Sequence, residues 1–162
     1  MSYLDARSQI KSGDLLAWSH RGWRTWYDWK IQIVRLATRS EYSHVGIAWV
    51  TGGRVFVLES VSPLARIVPL STLLPCYWIP TGAAWSYEAE EYALSLVGTA
   101  KYSQWEAVKA LFWRNKDDAR WQCAELVLSV LARCRVFLNC RATPSEVVYS
   151  ALLAGAPIRF LE

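Results

Sequence analysis

Residues 43–60 read SHVGIAWVTGGRVFVLES, and two apolar runs joined by a Gly-Gly pair are the mark of a β-hairpin. In the first run Val45, Ile47 and Trp49 occupy one strand face, and His44, Gly46 and Ala48 the other. If Gly52 and Gly53 form a two-residue turn, Thr51 pairs with Arg54 and Gly46 with Glu59. Glu59 is then a diagonal neighbour of His44 on the same sheet face. A three-residue loop without a bulge would set the two on opposite faces, so the reading depends on register. In the first register a carboxylate can hold one imidazole nitrogen, fix the tautomer and stabilise the charged ring. The competing reading is a structural histidine at a strand end and a solvated glutamate. The small neighbours of His44 and the apolar neighbours of Glu59 (Val57, Leu58, Val61) favour a functional pair.

Working outward, Tyr3 to Lys11 reads as a short amphipathic helix and Asp14 to Trp18 as a first strand. Arg24 to Ala37 has apolar residues at a 3.6-residue rhythm and reads as a helix. After the hairpin, Leu64–Leu70 and Cys76–Ile79 read as further strands. From Ser86 onward the pattern is helical, over Tyr87–Val97, Gln104–Trp113, Trp121–Arg133 and Pro144–Leu153. Thr143 is a natural N-cap for the last of these, with Pro144 in its first turn. Strands first and helices afterwards predict an α+β fold, an antiparallel sheet packed against helices.

At 162 residues with no repeat, low-complexity tract or long linker, the chain is expected to be one domain, residues 1–162. A hydrophobic share of 53% and a charged share of 20% exclude a disordered chain. The net charge of +4 is spread out, apart from Arg21–Arg24 and Arg133 with Arg135, and does not make a nucleic-acid footprint. Met1 to Gly13 has no apolar run of the secretory kind, and no window is apolar enough to span a bilayer. Localisation is therefore expected to be cytoplasmic by default, or reached by a route that reads no signal. The ten tryptophans exceed the evident need of a core this size, and some could line a groove or touch a membrane surface. The four cysteines show no Cys-x-x-Cys spacing and only two histidines accompany them, so no metal or other cofactor is expected. A Cys134–Cys140 disulfide is not expected either.

Cys123 lies where a polar stretch, residues 117–122, gives way to an apolar helix carrying Leu126, Val127, Val130 and Leu131. In a first helical turn, unpaired N–H groups and the helix dipole favour a thiolate, and the same N–H groups can hold an oxyanion. A buried, inert cysteine is the alternative. Together with His44 and Glu59, however, it completes the groups a Cys–His hydrolase needs. His20, in the polar turn Ser19-His20-Arg21-Gly22, is the competing histidine and is expected to be exposed.

Taken in order, Gly13-Asp14-Leu15-Leu16, Ser43-His44-Val45-Gly46-Ile47, Glu59, Gly98-Thr99-Ala100-Lys101-Tyr102, Cys123-Ala124-Glu125-Leu126-Val127 and Thr143-Pro144-Ser145 resemble the NlpC/P60 superfamily of papain-like hydrolases. Unpermuted members run Cys before His. Here the order is His, acid, Cys, which resembles the circularly permuted, YiiX-like branch and more distantly the lecithin–retinol acyltransferase-like enzymes. The resemblance runs from Gly13 to about Val148. It implies Cys123 as nucleophile, His44 as general base, Glu59 as the residue orienting it, and Tyr102 beside the oxyanion. A loop tyrosine after a helix-ending Gly98 suits that place, though Tyr102 could equally be a packed aromatic. The aromatic stretch Trp18, Trp23, Trp26, Tyr27 and Trp29 is richer than the family pattern, and either shapes the substrate groove or packs over the sheet.

The resemblance implies a cysteine peptidase or amidase acting by thiol acyl transfer, first on peptide or peptidoglycan stem-peptide amides, in a bacterium or a phage. The alternatives are a lipid acyl hydrolase or acyltransferase, whose tryptophans would meet a bilayer, and a non-catalytic binding module on the same fold.

Overall fold

The computed structural model describes residues 1–19, 41–61, 64–98 and 123–162. The expected helices at 24–37 and 104–113, with His20, Tyr102, Trp23, Trp26, Tyr27 and Trp29, lie outside the described residues.

The hairpin forms the middle of the sheet. Strands β2 (His44–Thr51) and β3 (Arg54–Val61) pair antiparallel with Thr51 opposite Arg54 and Ile47 opposite Leu58, the register of a two-residue Gly52-Gly53 turn. Both glycines have positive φ, 54° and 70°, as a type I′ hairpin turn requires. Strands β1 (Leu15–Trp18), β4 (Leu64–Pro69), β5 (Cys76–Ile79) and β6 (Arg159–Leu161) complete a six-stranded sheet in the order β4-β3-β2-β1-β5-β6, every pair antiparallel. Four α-helices are found among the described residues: α1 (Tyr3–Ala6), α2 (Tyr87–Ser95), α3 (Cys123–Arg133) and α4 (Pro144–Leu153). The fold is mixed α+β, as the order of elements predicts.

Both faces of the sheet are covered, which is why β1, β2 and β3 carry apolar residues at nearly every position. On one face Leu15, Val45, Ile47 and Leu58 join Leu126, Val127 and Val130 of α3 and Val147 and Val148 of α4. On the other, Leu16, Ala48, Val57 and Trp78 pack against Tyr3, Ala6 and Ile10 from the N-terminal segment. Each buried Val, Leu or Ile among them contributes about 1.5–3 kcal/mol on leaving water, so the two layers hold the sheet ends in fixed places.

The first helix is shorter than its sequence suggests, ending at Ala6 rather than Lys11. The side chain of Asp14 accepts from the Lys11 N–H at 2.9 Å, and Ile10 is buried against the sheet; both pull the chain out of the helix. Strand β6 has no sequence signal of its own: three residues after Pro157 become a strand because β5 offers them a partner. The expected caps are in place, with Thr143 accepting from the Glu146 N–H at the start of α4.

Candidate active site

His44 opens β2, opposite Trp18 at the end of β1. The two rings lie 5.4 Å apart, tilted by 41°, and the indole is itself anchored, donating from Nε1 to the Leu73 carbonyl at 2.7 Å. From the neighbouring strand Glu59 reaches the imidazole, with Oε2 2.7 Å from Nε2. Gly46 makes this approach feasible. A Cβ there would lie 2.8 Å from Val57 Cγ1 and 3.5 Å from Glu59 Cβ, crowding the strand that carries the acid.

Glu59 is 2% exposed, and a carboxylate so placed needs compensation. Arg66, directly across from it on β4, supplies that by donating from Nε and Nη2 to Oε1, each at 2.8 Å. One carboxylate oxygen therefore serves the arginine and the other the histidine. Burial pushes the Glu59 carboxyl up, but the hydrogen bonds and charges of His44 and Arg66 outweigh it and hold the group below its ordinary range.

Cys123 is the first described residue of α3, 8% exposed and within the same core layer as Val45. His44 and the backbone N–H groups of Val45 and Ala124 act on its sulfur, each favouring the thiolate. With Nε2 engaged by Glu59, Nδ1 is the ring nitrogen left for the thiol. Burial disfavours the thiolate, yet the charge of His44 and these N–H groups bring the Cys123 thiol below its usual value. Burial likewise opposes the imidazolium, while the thiolate of Cys123 and the carboxylate of Glu59 raise His44 to about 9. Both shifts run in the direction that favours a thiolate–imidazolium pair. The other three cysteines are free and move the opposite way: burial pushes Cys76 up to about 12 and also raises Cys134 and Cys140.

Three of the four residues singled out from sequence, Cys123, His44 and Glu59, thus come together in one chain of contacts; Tyr102 lies outside the described residues. Sequence reasoning missed Arg66 and placed Trp18 only within an aromatic stretch. The turn arithmetic that found Glu59 would have found Arg66 as well, because Val61 pairs with Leu64 and the ladder then sets Glu59 opposite Arg66. Among the described residues, a 360 Å³ cavity bounded by Lys11, Asp14, Trp78 and Arg159 and a 260 Å³ cavity bounded by Thr81, Val136, Leu138 and Ala151 both lie apart from this array.

No family model matches the chain, and no curated protein matches it in sequence. Among solved structures it is similar to "metalloprotein yiiX" from Escherichia coli O157:H7, assigned to DUF1105, with a TM-score of 0.56. The fold is YiiX-like. The match covers 78% of this chain and 67% of that one at 21% identity, so the likeness is one of fold. The described residues offer no donor set that fits the metal in the YiiX description. Among the described residues no group of three His, Cys, Asp or Glu side chains converges on a point. At the Cys123 site both oxygens of Glu59 are already bound, one of them to a guanidinium whose charge would repel a cation.

Proposed function

We propose that the protein is a cysteine hydrolase on a circularly permuted papain-like fold, with Cys123 as nucleophile, His44 as acid–base and Glu59 as the group that orients His44. The observation that carries this is the contact chain from thiol to imidazole to buried carboxylate, with the thiol lowered and the imidazole raised. The chain order of His, acid and Cys, and the YiiX-like fold, support the permuted branch.

In the reaction the thiolate attacks a carbonyl carbon, forming a C–S bond and an oxyanion that the backbone N–H at Cys123 can receive. His44 gives its proton to the leaving amine as the C–N bond breaks. Water then gives a proton to His44 while its oxygen attacks the thioester, and the acid product leaves the restored thiol. The substrate class we assign is an amide of a peptide or a peptidoglycan stem peptide.

The test compares the wild type with Cys123→Ala on purified muropeptides and on phospholipid vesicles. Amide cleavage by the wild type, lost in the variant with the circular dichroism spectrum unchanged, is the expected result. Full turnover by Cys123→Ala would rule out the mechanism. Cleavage confined to the phospholipids would replace the substrate with a lipid ester, and no turnover with an unreactive thiol would leave a binding module.

A further inference from the structure

Glu59 is held from two sides by unlike partners. His44 changes charge during the proposed reaction, and Arg66 does not. When His44 is neutral, Glu59 would be a nearly fully buried anion beside an uncharged ring, and a carboxylate so placed tends to take up a proton. Protonated on Oε2, it would no longer accept from Nε2, and the ring would lose its fixed orientation. Arg66 meets both needs with one group. Its two N–H donors converge on Oε1, leaving Oε2 for His44, and its permanent charge keeps the carboxylate ionised at every stage. A lysine, offering a point charge without a planar fork, could do only the second.

We propose that Arg66 is a positioning residue of the thiol site, fixing the carboxylate of Glu59 so that one oxygen always faces His44. The inference rests on the hydrolase reading above. It differs from a plain surface ion pair in where the ends lie: the Arg66 side chain is 51% exposed, the Glu59 side chain only 2%. Among the described residues, the charged groups acting on Glu59 are His44 from β2 and Arg66 from β4, with Cys123 of α3 acting through His44. Glu125 is the other charged residue in the first turn of α3.

The test uses the full chain with Arg66→Met and Arg66→Lys. Two readouts are taken: the pH profile of Cys123 alkylation by iodoacetamide, located by peptide mass, and the NMR titration of His44, assigned against His20→Gln. In Arg66→Met, loss of a positive charge should move both profiles up by about half a pH unit. The plateau alkylation rate should fall roughly tenfold, as for other residues that orient a reactive group from behind. Arg66→Lys should return both profiles to wild type while the plateau stays low, separating charge from geometry. If Arg66→Met does not fold, the plateau of Arg66→Lys decides alone. Wild-type profiles and plateau in Arg66→Met, or a wild-type plateau in Arg66→Lys where the Met variant is unfolded, would overturn the role of Arg66 and leave the hydrolase reading standing. A wild-type Cys123 reacting only in the ordinary thiol range would instead sink the hydrolase reading.

Discussion

Among the described residues two carboxylates are buried to nearly the same depth, Asp14 at 4% and Glu59 at 2% exposed, and they respond in opposite ways. Asp14 sits where the N-terminal segment enters β1. It accepts from the Lys11 N–H at 2.9 Å, Trp78 Nε1 at 2.8 Å and the Thr81 N–H at 3.3 Å. These donors are neutral dipoles, and burial wins over them and over the charge of Lys11: its carboxyl is raised. Glu59 meets a guanidinium and an imidazolium, and is lowered despite burial. The thiols repeat the contrast, Cys76 pushed up by burial alone and Cys123 drawn down by His44. Depth sets the cost of a charge, and the charge of the neighbours decides whether the cost is met. One corner is built to hold backbone together and the other to keep ions ready.

The thiols give the widest separation. At neutral pH iodoacetamide should modify Cys123 in the native protein and leave Cys76 untouched, with rates differing by ~10³ or more, because only the thiolate reacts. Peptide mapping after timed quenching reads the ratio, and comparable labelling of the two would erase the contrast. Glu59→Gln probes the acid at the same site. Turnover should drop by roughly a hundredfold, since the amide holds the ring but cannot stabilise its charge. His44, at about 9 in the wild type, must be protonated to serve the leaving group, so activity falls as pH rises through that value. Removing the carboxylate lowers the His44 value and shifts this alkaline limb toward neutrality. A pH–rate profile with an unmoved limb would show that Glu59 does not act on the ring.

How much of this was legible in the sequence follows the range of the interactions. The hairpin register was readable because Gly52-Gly53 permits few turns, and from it the placement of Glu59 beside His44 follows by counting. The helix that carries Cys123 was readable from a local change of texture. The placing of β1 between β2 and β5, which sets Trp18 against His44, was not, since strand order depends on which strands meet after long excursions. The burial of Asp14 was hidden for the same reason: its partners Trp78 and Thr81 are more than sixty residues away in sequence. The Gly13-Asp14 pair, noticed as part of a family motif, turns out to be a joint. Gly13 has φ +91°, and a Cβ there would fall 2.5 Å from Ala83 Cβ.

Asp14→Asn should therefore cost stability and spare chemistry. Three N–H donors converge on two carboxylate oxygens, and asparagine keeps only one acceptor, so at least one donor would face an NH₂ group. An unsatisfied buried donor costs about 1–3 kcal/mol, readable in a urea titration, while turnover should stay within about twofold of wild type. A large loss of turnover at unchanged stability would merge the two corners into one functional unit.

The finest distinction lies in how stability depends on acid. Glu59 is lowered from an ordinary value of 4.5, so its contribution is present above that value and is lost as pH falls through the folded one. Asp14 is raised from 3.8, so its contribution is present below that value and is lost as pH rises through the folded one. In the acid range the two carboxyls pull the stability curve in opposite directions, each by at most about 1.4 kcal/mol per pH unit. Glu59→Gln should therefore flatten the loss of melting temperature on acidification, and Asp14→Asn should steepen it. Denaturation scans at closely spaced pH values compare the slopes. Two variants that both steepen the loss would mean that the neighbours' charges do not divide these buried acids, and that burial alone governs both.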